Sequence, residues 1–425
     1  IKLERINNKK NIIVISTVII IMIIATLVLI TSKAKYKNIE TMDLVNGIIN
    51  YTPADIDLVA IQIENDNGEY EATDTIPSSG YILSDTSYCN VNGEKDTSIK
   101  LTYANGLIGI SDITKKVKCY LYFNKKVSAL DIIIGDTTNI EEKIEFTGIA
   151  TSTDTGIYSA PDDYGTSYYF RGVEDKLNNW VKFAGFYWRI IRINGNGTVR
   201  MIYSGVASGN PSTANKIGTT TQIGGIGYKY NSVSSDNTYV GYMKTLNDSG
   251  STTSSNGHEN NYDSNAKAEI DSWYQNNIEN NAEYAKYLDK NTGFCNDRQI
   301  DKTISISYTG NGYGGEATGY APWGRLGQNS TWKTIQTPTL KCGNKSRDLF
   351  TTNTNDVGNI GNKALKYPVG IITSDEVVFA GGFAGLSNQS YYLYTKQDYW
   401  TMSPSYPSYL NGGAYVFYVY SNGNI

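Results

Sequence analysis

Between Asn11 and Ser32 the chain carries no charged residue. Inside that run the few polar side chains are Ser16, Thr17 and Thr26, with Thr31 at its end, and such hydroxyls can bond back to carbonyls of their own helix. A helix needs roughly 20 apolar residues to cross the hydrocarbon core of a bilayer, whereas a packed helix of a water-soluble domain keeps one polar face. The stretch therefore reads as a membrane anchor that commits the remainder of the chain to one side of a membrane. A cleaved secretory signal is the competing reading, with Ser32-Lys33-Ala34 as the cleavage site, but the apolar region of such a signal spans about 7–15 residues and this run is longer. Both readings export the polypeptide beyond Ser32. The two flanks, Lys2, Arg5, Lys9 and Lys10 before and Lys33, Lys35 and Lys37 after, are both basic, so charge asymmetry does not set the orientation.

The rest of the chain is polar and weakly charged. A net charge of −4 with 18% charged residues leaves no basic field for nucleic acid. The 35 Tyr and 41 Gly, with abundant Asn, Ser and Thr, suit strands joined by tight turns. The 4 Cys, even in number and without a C-x-x-C pair, fit two disulfides in an exported chain better than a metal site. Sequence order pairs Cys89 with Cys119 and Cys295 with Cys342.

The expected organisation is a basic tail over residues 1–10, the membrane helix over 11–32, a connector over 33–50, an all-β sandwich-like spacer over 51–150 and an α+β module over 157–425. In the spacer, Leu58–Glu64, Tyr81–Leu83, Tyr88–Val91, Thr97–Tyr103, Leu107–Ile110 and Val117–Phe123 read as strands, with hairpin turns at Asn92-Gly93 and Asn105-Gly106. The stretch from Ser128 to Tyr158 is ambiguous, and the boundary is placed in Ala150–Gly156. In the module, Trp180–Ile193 reads as one strand, apolar on both faces and so central in its sheet. Asn194–Gly197 turns it and Thr198–Tyr203 returns. Asp263 or Ser264 caps a helix that carries Ala266, Ile270, Trp273 and Ile278, and Ala282–Leu288 forms a second. Ser374 caps a short helix that Gly381 and Gly382 end. The single His258 falls in a polar loop and reads as solvated.

The module resembles a recurrent unit of large surface proteins of anaerobic bacteria. The residues that carry the likeness are Asp162-Asp163-Tyr164-Gly165-Thr166-Ser167-Tyr168-Tyr169-Phe170-Arg171-Gly172, Phe186-Tyr187-Trp188-Arg189-Ile190-Ile191-Arg192-Ile193, Thr292-Gly293-Phe294-Cys295-Asn296-Asp297-Arg298, Gly370-Ile371-Ile372-Thr373-Ser374-Asp375-Glu376 and Tyr399-Trp400-Thr401-Met402-Ser403-Pro404. Ser87-Tyr88-Cys89 and Lys118-Cys119-Tyr120 are similar to the spacer that precedes such units. The ending is similar to C-type-lectin-like and formylglycine-generating-enzyme folds. That likeness implies a fold and a cell-surface location, with no activity attached, and it implies a further strand after Ile425. The Glu-Pro-Asn and Gln-Pro-Asp triplets of calcium-dependent lectins are absent, as is the late Cys pair of oxidising members of the enzyme fold.

Three functions compete. In the first, the module binds a surface glycan or a host protein through aromatic side chains, with Tyr399, Trp400, Tyr406 and Tyr409 as candidate contacts. Its rival at Trp400 and Tyr415–Tyr420 is a core role. In the second, an extracellular hydrolase uses carboxylates among Asp162, Asp163, Asp297, Asp375 and Glu376. Asp375 and Glu376 also suit the first turn of a helix, Asp297-Arg298 also suits a structural ion pair, and no Gly-x-Ser-x-Gly is present. In the third, the chain is a structural envelope component without a specific ligand. No loop has EF-hand spacing, so no metal, cofactor or catalytic residue is assigned. The anchor predicts that the full chain stays in the membrane pellet after alkaline carbonate washing and that deletion of residues 11–32 releases it. Recovery of the intact chain from cytosol with reduced thiols overturns the assignment.

Overall fold

The computed structural model describes residues 56–425, apart from 105, 127, 225–228, 233–238, 246–257, 302–318, 329–330, 353–359 and 406–414. The candidate membrane helix lies outside these residues. Among those described, no helix is long and apolar enough to cross a membrane. The chain is rich in sheet with a few helices, and it divides into two compact units, Ile1–Ser128 and Ala129–Ile425.

The first unit is all-β among its described residues. Its strands are β1 (Ile56–Glu64), β2 (Tyr70–Thr73), β3 (Tyr81–Leu83), β4 (Tyr88–Val91), β5 (Glu94–Lys95), β6 (Lys100–Ala104), β7 (Leu107–Ser111) and β8 (Val117–Lys125). The sheet runs β2-β1-β8-β4-β5, with β3 also on β8. Strand β8 alternates inward Val117, Cys119, Leu121 and Phe123 with outward Lys118, Tyr120 and Tyr122, the period-two pattern of a half-buried strand. Ile108 and Ile110 of the β6–β7 hairpin join the same core, so the hairpin forms a second layer over the sheet. Asn92 and Gly93 both adopt positive φ, 52° and 91°, as a two-residue hairpin turn requires.

In the second unit an antiparallel sheet is built on β9 (Gly156–Pro161), β10 (Thr166–Arg171), β11 (Trp180–Phe183), β12 (Phe186–Ile193) and β13 (Val199–Val206). Strand β12 is central: β10 and β11 share one of its edges and β13 takes the other. The expected single strand Trp180–Ile193 is in fact a hairpin. Ala184 (φ 53°) and Gly185 (φ 82°) turn the chain, with Phe183 opposite Phe186. Alanine seldom adopts that conformation, and the turn is illegible in the sequence for that reason.

Behind the sheet lies the helix Ser374–Ala380, every residue of which is buried. Its N-cap is Thr373 rather than the expected Ser374: the Thr373 hydroxyl accepts from Glu376 N–H, and the Glu376 carboxylate accepts from Thr373 N–H, a capping box. Gly381 ends it at φ 126°, where a Cβ would lie 2.7 Å from Ala150. The helix Asn265–Tyr274 is capped by Ser264 and buries Ala266 and Ile270. Tyr399–Pro404 and Val416–Val419 form a last hairpin.

Residues 129–150, expected to belong to the spacer, pack into the second unit. Phe146 pairs with Gln336 through both backbone bonds, 2.9 and 2.8 Å, and Ala150 N–H donates to Gly381 O. The boundary is therefore at Ser128, ahead of the Ala150–Gly156 segment that lacks periodicity.

Both expected disulfides are present and no described cysteine is free, which fits an extracellular protein. Cys89 and Cys119 sit directly opposite each other on β4 and β8. Peptide mapping without reductant should recover Cys89 with Cys119 and Cys295 with Cys342. Replacing Cys89 and Cys119 together by Ser should lower the stability of the first unit by roughly 3–4 kcal/mol, read from denaturant unfolding.

Candidate functional site

Two features of the second unit bring polar chemistry together. The first is a network of buried charges between the β9–β13 sheet and the Ser374–Ala380 helix. Asp162, at the β9–β10 turn, accepts from Tyr164 N–H (2.7 Å), Gly195 N–H (2.9 Å) and Arg192 (3.2 Å). Arg192 also reaches Glu376 at 3.3 Å, and Arg200 lies 3.5 Å from the same oxygen. Asp375 accepts from Arg325 (2.7 and 3.0 Å) and from Thr339 N–H (2.9 Å). Asp297 is held by Arg325 as well. Asp163 accepts from Cys342 N–H at 2.9 Å and pairs with Lys345.

All five carboxylates considered for hydrolysis are thus buried, and each has at least one charged or N–H partner. Asp297 does not pair with Arg298. Its partner is Arg325, while Arg298 donates to Glu259 O and Asn260. His258 is not solvated either: its Nε2 lies 2.8 and 2.9 Å from the two oxygens of buried Asp348. Both partners are remote in sequence, which is why local pattern misses them. A cavity of about 30 Å³ sits in the network, lined by Asp163, Asp297, Arg200 and Glu376 among others, with room for one water. Asp297 Oδ1 has no hydrogen-bond partner among the described residues.

Burial pushes the Glu376 carboxyl up, but Arg200, Arg192 and the Thr373 N–H outweigh it and hold it below its ordinary value of 4.5. For Asp297, burial prevails over Arg325 and raises the carboxyl. Burial pulls Arg200 down to about 10 against the pull of Glu376, so it stays charged at neutral pH.

The second feature is an open cleft of about 960 Å³. Arg200 and Glu376 line both it and the small cavity, so they partition the two. One wall is aromatic: Trp188 and Tyr203, on adjacent strands, and Trp273 of the Asn265–Tyr274 helix have ring centroids 5.2–6.1 Å apart. They are half-buried and tilted edge to face, the arrangement their quadrupoles favour. The other wall comes from the last hairpin, where Trp400 and Tyr418 face each other at 5.4 Å. Trp400 is 39% exposed, so its core reading is corrected. The hairpin leaves it on the rim, paired across the strands with Tyr418 rather than with an aliphatic residue.

Of the four expected contacts, Tyr399 and Trp400 line the cleft, and Tyr406 and Tyr409 lie outside the described residues. The Tyr399 hydroxyl donates to Leu393 O at 3.1 Å. By pattern, Trp188, Tyr203 and Trp273 are strand and helix core; their shared cleft appears only when strand and helix are brought together. Asn194 and Tyr392 also line the cleft, and Asn194 Oδ1 and Tyr392 Oη are buried without a partner among the described residues. No group of residues suited to a metal ion occurs among those described.

No protein-family profile, curated protein or solved structure matches this chain.

The ion network makes a pH prediction. Because the folded Glu376 carboxyl titrates below its ordinary value, its stabilisation is complete above about pH 4.5 and is lost as pH falls through the folded value. Thermal unfolding followed from pH 7 to 3 should show that loss, and Glu376→Gln should flatten it. Arg192→Ala, which removes a counter-charge from both Asp162 and Glu376, should cost about 3–5 kcal/mol.

Proposed function

We propose that this chain is a membrane-anchored bacterial cell-surface protein that binds a ligand in the aromatic cleft of its second unit, with the first unit as a spacer. The cleft carries the reading. Its volume of about 960 Å³ is that of a site for an extended small ligand, and its walls present indole and phenol rings that give large, rigid contact area. The apolar run at residues 11–32 supports the anchor, and the two disulfides support an extracellular setting. The likeness of the second unit to lectin-like modules of surface proteins is compatible with a binding role.

Three of the five candidate carboxylates favour binding over hydrolysis. A general acid or nucleophile needs a carboxyl that is free to meet substrate, whereas Asp162, Asp375 and Glu376 are saturated by arginines and backbone N–H groups.

Cells displaying the full chain should adhere to a glycan- or protein-coated surface above a control lacking it. Trp400→Ala, at a half-exposed rim position, should weaken that adhesion about tenfold while leaving surface expression unchanged. Adhesion equal to the control on every surface tested overturns the proposal.

A further inference from the structure

We infer that the cleft takes an uncharged saccharide of a few rings, and that sialylated or sulfated glycans are poor ligands for it. The inference rests on the binding reading above and deepens it.

Charge balance is the first argument. Among the described residues, four cationic and four anionic side chains line the cleft. Three of the cations are already held. Arg200 sits against Glu376 at 3.5 Å. Arg189 donates to Asn179 and pairs with Glu174, its guanidinium lying over the Trp180 and Tyr392 rings. Lys216 pairs with Glu174 at 3.1 Å. The fourth, Lys396, is exposed on the rim beside Asp398 in sequence, where solvent and salt screen it. A carboxylate or sulfate ester entering the cleft would give up water near the Glu376 carboxylate without gaining an unoccupied guanidinium, a costly exchange. Of the cleft's carboxylates, Glu376 is held by arginines, Asp289 accepts from the N–H groups of Asn291 and Thr292, and Asp398 accepts from that of Ser421.

Polarity without charge is the second argument. Thr198, Ser204, Thr221 and Gln222 line the cleft but already donate within the protein, whereas Asn194 Oδ1 and Tyr392 Oη are buried there without a partner among the described residues. A hydrocarbon ligand would leave these two atoms orphaned. The occupant must therefore offer flat apolar faces to Trp188, Trp273 and Trp400 and neutral donors and acceptors at its edge. A pyranose ring does both: its axial C–H groups form a face that stacks on indole, and its hydroxyls radiate around the rim.

The test is an array of matched oligosaccharides, in which each core is printed in neutral, sialylated and sulfated form, probed with the full-length protein in detergent. The best member is then titrated by calorimetry at low salt and at about 0.5 M salt. Neutral members should be retained over their charged counterparts, affinity should change less than about twofold with salt, and Trp400→Ala should weaken it about tenfold where Trp400→Phe retains most of it. Retention of sialylated or sulfated members with affinity that falls steeply in salt overturns the neutral class and leaves the binding reading standing. An array without hits, while displaying cells still adhere to a protein-coated surface, overturns the saccharide class alone. Loss of both signals overturns the binding reading with it.

Discussion

The second unit depends on a handful of arginines that are largely withdrawn from water. Arg192 on the central strand β12 and Arg200 on its neighbour β13 converge on Glu376 from the sheet side, and Arg325 grips Asp297 and Asp375 from the other. Glu376 and Asp375 are consecutive residues in the first turn of a fully buried helix, so that turn is the knot between two clusters of ions. Isolated charges in such a place would be expelled, and each survives only because its neighbours supply both counter-charge and hydrogen bonds. The arrangement fixes where the helix sits against the sheet more narrowly than greasy packing alone would, since a slip of one residue would leave several ions uncompensated at once.

The cleft inherits its position from that knot. Strand β13 is held against β12, and its Arg200 turns inward to Glu376 and over the Phe294 ring at 4.2 Å. Tyr203 and Trp188 stand further along the same strands, where the Asn265–Tyr274 helix supplies Trp273. The floor is therefore ionic and satisfied, and the walls are aromatic and partly open. The cleft and the ion network share Arg200 and Glu376.

Much of this is legible from local pattern. Alternation in β8, the apolar character of β12, the Asn92-Gly93 turn and the pairing of cysteines by order all rest on short-range rules, and all are found. What escapes is long-range. Local pattern gives Asp297 to its neighbour Arg298, yet its partner is 28 residues away at Arg325. It gives His258 to solvent, yet Asp348 lies 90 residues on. The Ala184-Gly185 turn escapes because alanine carries no turn signal, and the unit boundary because residues 129–150 dock largely as irregular chain. Residue type favours the core for Trp400, although its place in the hairpin puts it on a rim. Aromatic residues suit interior and binding surface equally, so sequence pattern alone does not separate the two.

In the first unit the opening and closing strands, β1 and β8, run parallel and side by side, with Ile56 opposite Val117 and Ile63 opposite Phe123. The polypeptide consequently enters at one end of this pair and departs from the other. Tension applied across the unit's two termini acts along the strands, so the backbone bonds between them must shear together instead of opening one after another like a zipper. Such a layout resists mechanical extension far better than its thermodynamic stability would suggest, a useful property for any tether that must hold against flow.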